Sequence, residues 1–227
     1  ICHYLAALQQ HSVFGVDLGS NSVSLVMADP EQTLVSIHSE LGMGLPVANL
    51  LNLVSVDEVR QWVPTEISAA ETNDYIFNKS LHPFMVPTSE KVIQLEQAVA
   101  RTLIGCAAKA TSQDARWPQV EERRIPPPFG LLLARGSTLA NAPRPGQIVL
   151  MLLDALQPTG IFSIALDRYG VLPALGAPAA HQPLPVVQTL EAGVLSDLGW
   201  VIAPTGKGQP GKKVMEIAIK SDRMSFE

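Results

Sequence analysis

Cysteine and long apolar runs are both scarce in this chain. Cys2 and Cys106 are the only cysteines among 227 residues, and they lie far apart in the sequence. Two such thiols cannot form the framework of a disulfide-stabilised fold and are typical of a reducing compartment, so a cytoplasmic location is expected. No apolar run reaches the ~20 residues that a membrane helix needs, because the best candidate, residues 148–153, ends at Asp154. We therefore expect no membrane partner.

Positive charge is also limited. Lysine and arginine total 16 against 21 aspartate and glutamate residues, which gives a formal net charge of −5. A general nucleic-acid binder needs a basic face, so the charge balance disfavours that class. Apolar residues make up 47% of the chain and charged residues 16%, as in a folded globular protein. The five histidines show no spacing typical of metal ligands: His3, His11, His38, His82 and His181.

The stretch that organises the chain is a predicted hairpin near its start. Apolar runs at residues 13–17 and 23–27 enclose a short polar segment, as in two β-strands joined by a turn. A third alternating segment at residues 34–38 predicts a further strand. Together the three segments predict a β-meander.

The bend of this hairpin carries the residues best suited to binding a ligand. Gly19 has no side chain, so the backbone can approach a ligand closely. Its neighbours Ser20, Asn21 and Ser22 offer backbone N–H groups and polar side chains that could face one anion. Asp17 ends the first strand, where a carboxylate can hold a metal ion or a water molecule. The alternative interpretation is an ordinary polar turn capped by Asp17.

The following segments alternate between apolar strands and amphipathic helices. Strands are predicted at residues 129–134 and 161–166. A helix predicted at residues 88–110 has a buried stripe at three- and four-residue spacing that includes Cys106, so this cysteine is expected in the core. The pattern indicates an α/β fold with a mixed sheet and flanking helices.

Two composition changes suggest how the chain is divided. A mainly helical insertion is expected at about residues 44–128, and one of its helices, predicted at 67–77, is expected to break at residues 78–83. From residue 193 the pattern changes to short strands and a glycine-rich turn, which predicts a small C-terminal β unit. The strands of this unit are expected at residues 194–198, 200–203 and 214–219. We therefore divide the chain into residues 1–192 and residues 193–227, the latter as the start of a following region.

A second informative stretch, residues 130–160, combines a buried strand, a turn at Gly136 and Ser137, a proline-rich loop and a helix. It resembles the adenosine-binding element of actin-like ATPases, in which backbone at a glycine turn packs against the nucleoside. Further motifs resemble the glutamate mutase accessory family, called MutL-type and unrelated to the mismatch-repair protein of that name. These motifs are LGMG at 41–44, NKSL at 78–81, LEQAVA at 95–100, APRPG at 142–146, LLDALQP at 152–158, LDRYG at 166–170 and VIAP at 201–204.

The resemblance implies one lobe, the second, of an actin-like ATPase with a ribonuclease H-like mixed sheet, as a fragment of a longer chain. The implied function is that of an accessory or reactivating factor for an adenosylcobalamin-dependent mutase such as glutamate mutase, with ATP and Mg²⁺ as cofactors. Asp17 would then be the catalytic residue and metal ligand, the turn from Gly19 to Ser22 would bind phosphate, and Gly136 and Ser137 would contact adenosine. The implied partners are a mutase subunit and the rest of the longer chain.

The chain departs at two positions from the usual second phosphate loop of that superfamily, Asp-x-Gly-Gly-x-Thr-x-Asp. Ser20 replaces the second glycine, and Ser24 replaces the second acid. A hydroxyl group can hydrogen-bond a phosphate, but it cannot act as a carboxylate ligand or base. We therefore expect weak ATP binding and no useful hydrolysis by this chain alone. If Asp17 holds Mg²⁺, Asp17→Ala should weaken the binding further.

Two other interpretations stay open. The first is a non-catalytic actin-like scaffold that binds a partner protein, which Ser24 favours. The second is a hydantoinase/oxoprolinase-type enzyme, which uses a similar ATPase fold on cyclic amides, although the lack of an evident His/Asp metal cluster counts against it. Arg144 and Arg168 lie in two of the matching motifs, and either could contact a phosphate, contact a partner or form an ion pair that fixes a loop.

Overall fold

The computed structural model describes residues 1–118, 126–179, 181–205, 211–213 and 215–216. Six strands form one sheet: β1 Val13–Leu18, β2 Val23–Ala28, β3 Thr33–His38, β4 Leu131–Arg135, β5 Gly160–Asp167 and β6 Ser196–Ala203. Helices flank it: α1 Cys2–Gln9, the 3-10 helix Leu45–Asn52, α2 Val56–Arg60, α3 Ala69–Leu81, α4 Glu90–Thr111, α5 Ser137–Ala140, α6 Pro145–Leu156, α7 Leu172–Gly176 and α8 Pro183–Glu191.

The sheet is mixed, with the strand order β3-β2-β1-β4-β5-β6. The β1–β4 and β4–β5 pairs are parallel, whereas β1–β2, β2–β3 and β5–β6 are antiparallel. The structure thus confirms the predicted meander and its union with the two later apolar strands in one sheet. Since β1, β4 and β5 run in the same direction, their carboxyl ends meet at one edge, where open α/β sheets usually bind ligands.

Helices cover the two faces of the sheet unequally. The larger core lies on the face covered by α4 and α6, and its buried side chains include Leu25, Leu103 and Leu152. The smaller core lies under α1 and includes Leu5 and Leu133. The expected packing of the long amphipathic helix on the sheet is therefore confirmed, because α4 contacts both β1 and β2.

Cys106 lies on α4, partly buried against the larger core. Burial raises the pKa of its thiol above the ordinary value, which disfavours the thiolate form. The predicted core position of this cysteine is confirmed.

Aromatic side chains anchor the amino ends of the parallel strands. The ring of Phe14, near the start of β1, stacks on that of Phe129 with 5.7 Å between centroids. Phe129 in turn packs on Phe162 at 4.7 Å, and Trp117 meets Phe14 edge-on at 6.3 Å. Such pairs add to the stability that burial of their area gives. The amino ends of these strands are therefore fixed by apolar packing, whereas the carboxyl ends carry polar and charged groups.

Helix α3 is longer than the sequence predicts. It begins with a capping box in which the side chains of Ser68 and Glu71 each accept a backbone N–H of the other residue. It continues to Leu81, so the break expected at residues 78–83 is wrong for the first four of them. The helix ends at His82, since the residue before a proline, here Pro83, is disfavoured in helical conformation.

The end of the described chain differs in detail from its prediction. The two strands expected at 194–198 and 200–203 form the single strand β6, whose residues pair with β5 in the same sheet. The strand predicted at 214–219 lies almost wholly outside the described residues, and the predicted boundary at residue 193 stays a prediction. Among the described helices, none has both the length and the hydropathy required to span a membrane.

Candidate functional site

A cleft of about 340 Å³ opens at the carboxyl edge of the sheet. The β1–β2 turn contributes Gly19 and Ser20 to its lining, and the turn after β4 contributes Gly136 and Ser137. The loop after β5 contributes residues 168–170, and Asp17 lies at the base. The two turns that the sequence singles out therefore open on the same cleft.

Two of the predicted phosphate-binding residues do not line this cleft. Asn21 and Ser22 belong to the same turn as Gly19 and Ser20, but they lie outside the lining, and Asn21 is exposed. Their side chains are thus placed less favourably than the sequence predicts. The backbone nitrogen of Ser22 also lies toward the LGMG motif, since it would be 2.9 Å from a Cβ atom at Gly42.

The free N–H groups of this turn are its main chemical feature. The Gly19 N–H donates to the carbonyl oxygen of Ser22 at 2.9 Å, which closes the turn. The backbone N–H groups of Ser20, Asn21 and Ser22 have no hydrogen-bond acceptor within the described part of the chain. Successive unpaired N–H groups in a turn form a typical anion-binding concavity.

The LGMG motif holds this turn in place from behind. The N–H of Met43 donates to the Gly19 carbonyl at 3.0 Å, and the N–H of Gly44 donates to the Ser20 carbonyl at 2.8 Å. A Cβ atom at Gly42 would lie only 2.5 Å from the Ser20 carbonyl oxygen, so the contact requires glycine. The carbonyl groups of the turn are thus fixed on one side by backbone hydrogen bonds.

Gly136 allows the second turn to approach β1. Its φ of +132° disfavours any residue with a side chain, and a Cβ atom there would lie 2.3 Å from the carbonyl oxygen of Leu18. The glycine is therefore required by close backbone packing at the base of the cleft. Its predicted contact with adenosine stays a prediction.

Three charged residues form a row across the carboxyl ends of the parallel strands. Asp17, Arg135 and Asp167 are register partners on β1, β4 and β5, so their side chains share one face. An Nη1 hydrogen of Arg135 is donated to Oδ2 of Asp17, and its Nε lies 3.7 Å from Oδ2 of Asp167. Arg135 therefore lies between two carboxylates.

The carboxylate oxygens of this row are either engaged or buried. Oδ1 of Asp17 is buried and has no hydrogen-bond partner among the described residues, while Oδ2 carries the ion pair. The side chain of Asp167 is fully buried, and its two oxygens accept the N–H groups of Val171 and Leu172 at 2.9 and 3.0 Å. Asp167 thus fixes the loop that borders the cleft.

This geometry fits a directly bound Mg²⁺ ion poorly. A magnesium site usually combines one or two accessible carboxylates with water and phosphate oxygens. Here neither Asp17 nor Asp167 presents an oxygen that is both unpaired and exposed, and Arg135 lies between them. The position opposite Asp17 on β2 is Ser24, which adds no charge. The predicted role of Asp17 as metal ligand and catalytic residue stays a prediction.

No other group suggests a metal centre in the part of the chain that the structure describes. No cluster of three or more histidine, cysteine, aspartate or glutamate side chains is placed there to bind a metal ion. Of the two arginines from the matching motifs, Arg168 lines the cleft, whereas Arg144 is exposed before α6 and lies outside the lining.

A second cleft of about 420 Å³ adjoins the first and shares Ser20, Ser137 and Asn141 with it. Its walls include the exposed apolar side chains of residues 84 and 86 and the buried Gln97. The Nε2 atom of Gln97 is buried and finds no hydrogen-bond partner among the described residues. The two clefts together form one elongated depression with a charged end and a more apolar end.

Arg135 and Asp167 are the site residues that the sequence interpretation missed. Each is the last residue of an otherwise apolar strand, in LLLAR and in GIFSIALD. This is the same signal that singles out Asp17, so a search for charge at every strand end finds all three.

The comparisons with known proteins agree with the family resemblance that the sequence motifs indicate. The family model described as MutL protein matches residues 9–194, which include β1 to β5 and both turns of the cleft. A search of curated proteins finds no match to the chain. The chain therefore belongs to the MutL family, the family of glutamate mutase accessory proteins.

Proposed function

We propose that the chain is the nucleotide-binding lobe of an accessory factor for an adenosylcobalamin-dependent mutase such as glutamate mutase. Family membership supports the accessory role. The observation that carries nucleotide binding is the single cleft on which the Gly19–Ser20 and Gly136–Ser137 turns both open. A mixed sheet with a cleft at the carboxyl ends of its parallel strands supports the proposed second lobe of an actin-like ATPase.

The phosphates bind at the charged end of the depression. The free N–H group of Ser20, a residue that lines the cleft, donates to a phosphate oxygen, as in other anion-binding turns. Arg168 lines the same cleft and provides a guanidinium group, whose fork of donors suits phosphate. These groups bind and orient the phosphates through fixed donors.

The nucleoside extends from Gly136 and Ser137 toward the second cleft. Apolar walls there include Phe84 and Ile93, which suit the faces of a purine ring. The unpaired Nε2 of Gln97 can donate to a ring nitrogen of the base, which would satisfy a group that is otherwise buried without a partner. A ligand with one charged end and one flat apolar end thus matches the elongated depression.

Hydrolysis by this chain alone is not part of the proposal. Phosphoryl transfer is catalysed by positioning and by charge stabilisation around the transferred group. Asp17 is paired with Arg135, and its neighbour on β2 is Ser24 rather than a second acid. Both features also favour the related possibility of a non-catalytic scaffold that binds nucleotide without turnover.

The proposed partner is a subunit of the mutase. Phe84 is 94% exposed and Val86 is 73% exposed, and both border the second cleft. Exposed apolar side chains grouped in this way are typical of protein contact sites. A partner at this position would meet the protein beside the bound nucleotide.

Calorimetric titration with ADP and with ATP tests the nucleotide-binding proposal. The wild type should bind both, and Ser137→Glu should raise the Kd about tenfold because it places a larger, negatively charged side chain where the two clefts meet, at the start of the nucleoside position. Gln188→Glu adds the same charge at an exposed position outside both clefts and should leave the Kd unchanged. Equal effects of the two variants would contradict the proposed site.

A phosphate-release assay tests the absence of turnover. The wild type with ATP and Mg²⁺ should release phosphate no faster than the buffer alone. Steady release that is lost in Asp17→Ala would instead show that the chain is a complete ATPase with Asp17 in its active site.

A further inference from the structure

We propose that the guanidinium group of Arg135 takes the place of a metal cation in this cleft, so that nucleotide phosphates bind without Mg²⁺. This inference rests on the proposed nucleotide binding and specifies which cation of the same site contacts the phosphates. In this inference Asp17 binds no metal ion, whereas the resemblance implies that Asp17 is a metal ligand.

The position of Arg135 is fixed by strand register. It follows four buried residues of β4 and lies between Asp17 of β1 and Asp167 of β5 in one cross-strand row. Its guanidinium group pairs with Asp17 and has its Nε 3.7 Å from an oxygen of Asp167. A cation held between two carboxylates at the base of the cleft is therefore already part of the protein.

The carboxylates are not free to bind a second cation. Both oxygens of Asp167 accept backbone N–H groups in a fully buried environment. One oxygen of Asp17 is buried, and the other is paired with Arg135. A Mg²⁺ ion would have to displace the guanidinium group before it could reach either residue.

Arg135 retains donors for a ligand. Its side chain is 31% exposed and lines the cleft, and its Nη2 has no acceptor among the described residues, whereas its Nε is buried 3.7 Å from an oxygen of Asp167. The loop that borders the cleft lies beside the guanidinium group, since a Cβ atom at Gly170 would be 4.0 Å from Nη2 of Arg135. Arg168 on that loop lines the same cleft, so two guanidinium groups can face the phosphates.

Titration with ADP, once in excess Mg²⁺ and once in EDTA, tests this inference. The wild-type Kd should differ by less than threefold between the two buffers. Arg135→Gln should raise the Kd in EDTA by tenfold or more, and Mg²⁺ should restore part of the loss because the freed Asp17 carboxylate can then hold the ion. Arg144→Gln removes an exposed guanidinium group outside the cleft and should match the wild type in both buffers.

Asp17→Asn provides a second test that does not depend on the folding of the Arg135 variant. If Arg135 replaces the metal, loss of the Asp17 charge should leave ADP binding unchanged or tighter in both buffers. If Asp17 binds Mg²⁺, the same variant should bind ADP more weakly in Mg²⁺ than the wild type does.

The outcomes separate the two proposals. Wild-type binding that is tenfold or more tighter in Mg²⁺ than in EDTA, or weaker binding by Asp17→Asn in Mg²⁺, overturns the role of Arg135 and leaves nucleotide binding intact. Absence of ADP binding by the wild type in both buffers overturns the proposed function, and this inference with it.

Discussion

Lys79 and Arg135 are both cations held beside carboxylates, but their surroundings differ. Lys79 is buried at the end of α3, and its Nζ donates to Glu96 at 3.0 Å and to the Met85 carbonyl at 2.8 Å. Arg135 is one-third exposed at the cleft, and both it and Asp17 have a buried polar atom without a partner among the described residues. The first cluster joins secondary-structure elements, whereas the second lines an open cleft.

This difference indicates which charges stabilise the fold and which serve a ligand. A buried ion pair whose donors are satisfied contributes mainly by avoiding an unpaired charge. A partly exposed pair contributes little to stability, because water screens it. Removal of charge should therefore affect folding at Lys79 and ligand binding at Arg135.

The largest effect on stability is expected for Lys79→Met. It leaves the Glu96 carboxylate buried without its counter-ion, which should lower the free energy of unfolding by about 3–5 kcal/mol. The double variant Lys79→Met/Glu96→Leu removes both charges and should recover at least half of the loss. Urea unfolding followed by circular dichroism measures both. A single-variant loss under about 1 kcal/mol would show that Lys79 does not stabilise the fold in this way.

Gly136→Ala should destabilise the base of the cleft. The backbone there has a positive φ, and the added Cβ would meet the Leu18 carbonyl at 2.3 Å, so we expect a loss of about 2–4 kcal/mol. Gly146→Ala, in the first turn of α6 with no atom within 4 Å of the new Cβ, serves as the matched control. It should be neutral or slightly stabilising. Equal unfolding midpoints for the two variants would contradict the close packing at Gly136.

Asp17→Asn should change stability by less than about 1 kcal/mol, because the pair is about one-third exposed and Arg135 keeps Asp167 as a neighbour. The same urea measurement checks this value against Lys79→Met. A loss as large as that of Lys79→Met would remove the distinction between the two clusters.

The smallest expected effect on stability concerns the capping box of α3. A hydrogen bond from Lys91, followed by those from Ser68, lowers the pKa of Glu71 from its ordinary value of 4.5 to about 2. Since the pKa is lower in the folded state, the stabilisation is complete above about pH 4.5 and is lost as the pH falls toward 2. Glu71→Gln should therefore lower the Tm at pH 7 and have little effect at pH 2.5.

Glu66→Gln, which removes an exposed carboxylate outside the capping box, is the control for this comparison. A Tm difference between Glu71→Gln and the wild type that is the same at both pH values would contradict the role of Glu71.

Local patterns were sufficient to predict much of the sheet. The apolar runs and the polar bend predicted β1 and β2, and the three- and four-residue spacing predicted α4, because these signals depend on near neighbours in sequence. The sequence does not predict the full extent of α3, since polar residues such as Asn78 and Lys79 favour a break there. Lys79 is in fact buried and paired with Glu96, and that tertiary contact has no local signal.

The charged row could not be predicted in the same way. Asp17 and Arg135 are 118 residues apart, and only the register of β1 and β4 brings them together. The sequence shows a charge at the end of each strand, but it does not show which strands are adjacent. The pairing of Asp17 with Arg135, which bears on its predicted metal role, therefore needed the structure.

Backbone amide chemical shifts of the ¹⁵N-labelled wild type, recorded with increasing ADP, test nucleotide binding at the cleft most directly. The amides of Ser20, Asn21 and Ser22, together with those of Gly136 and Ser137, should shift with one common Kd, while amides of β3 at the far edge of the sheet should not. Shifts confined to other parts of the molecule, or no shifts at millimolar ADP, would contradict the assignment of this cleft as a nucleotide site.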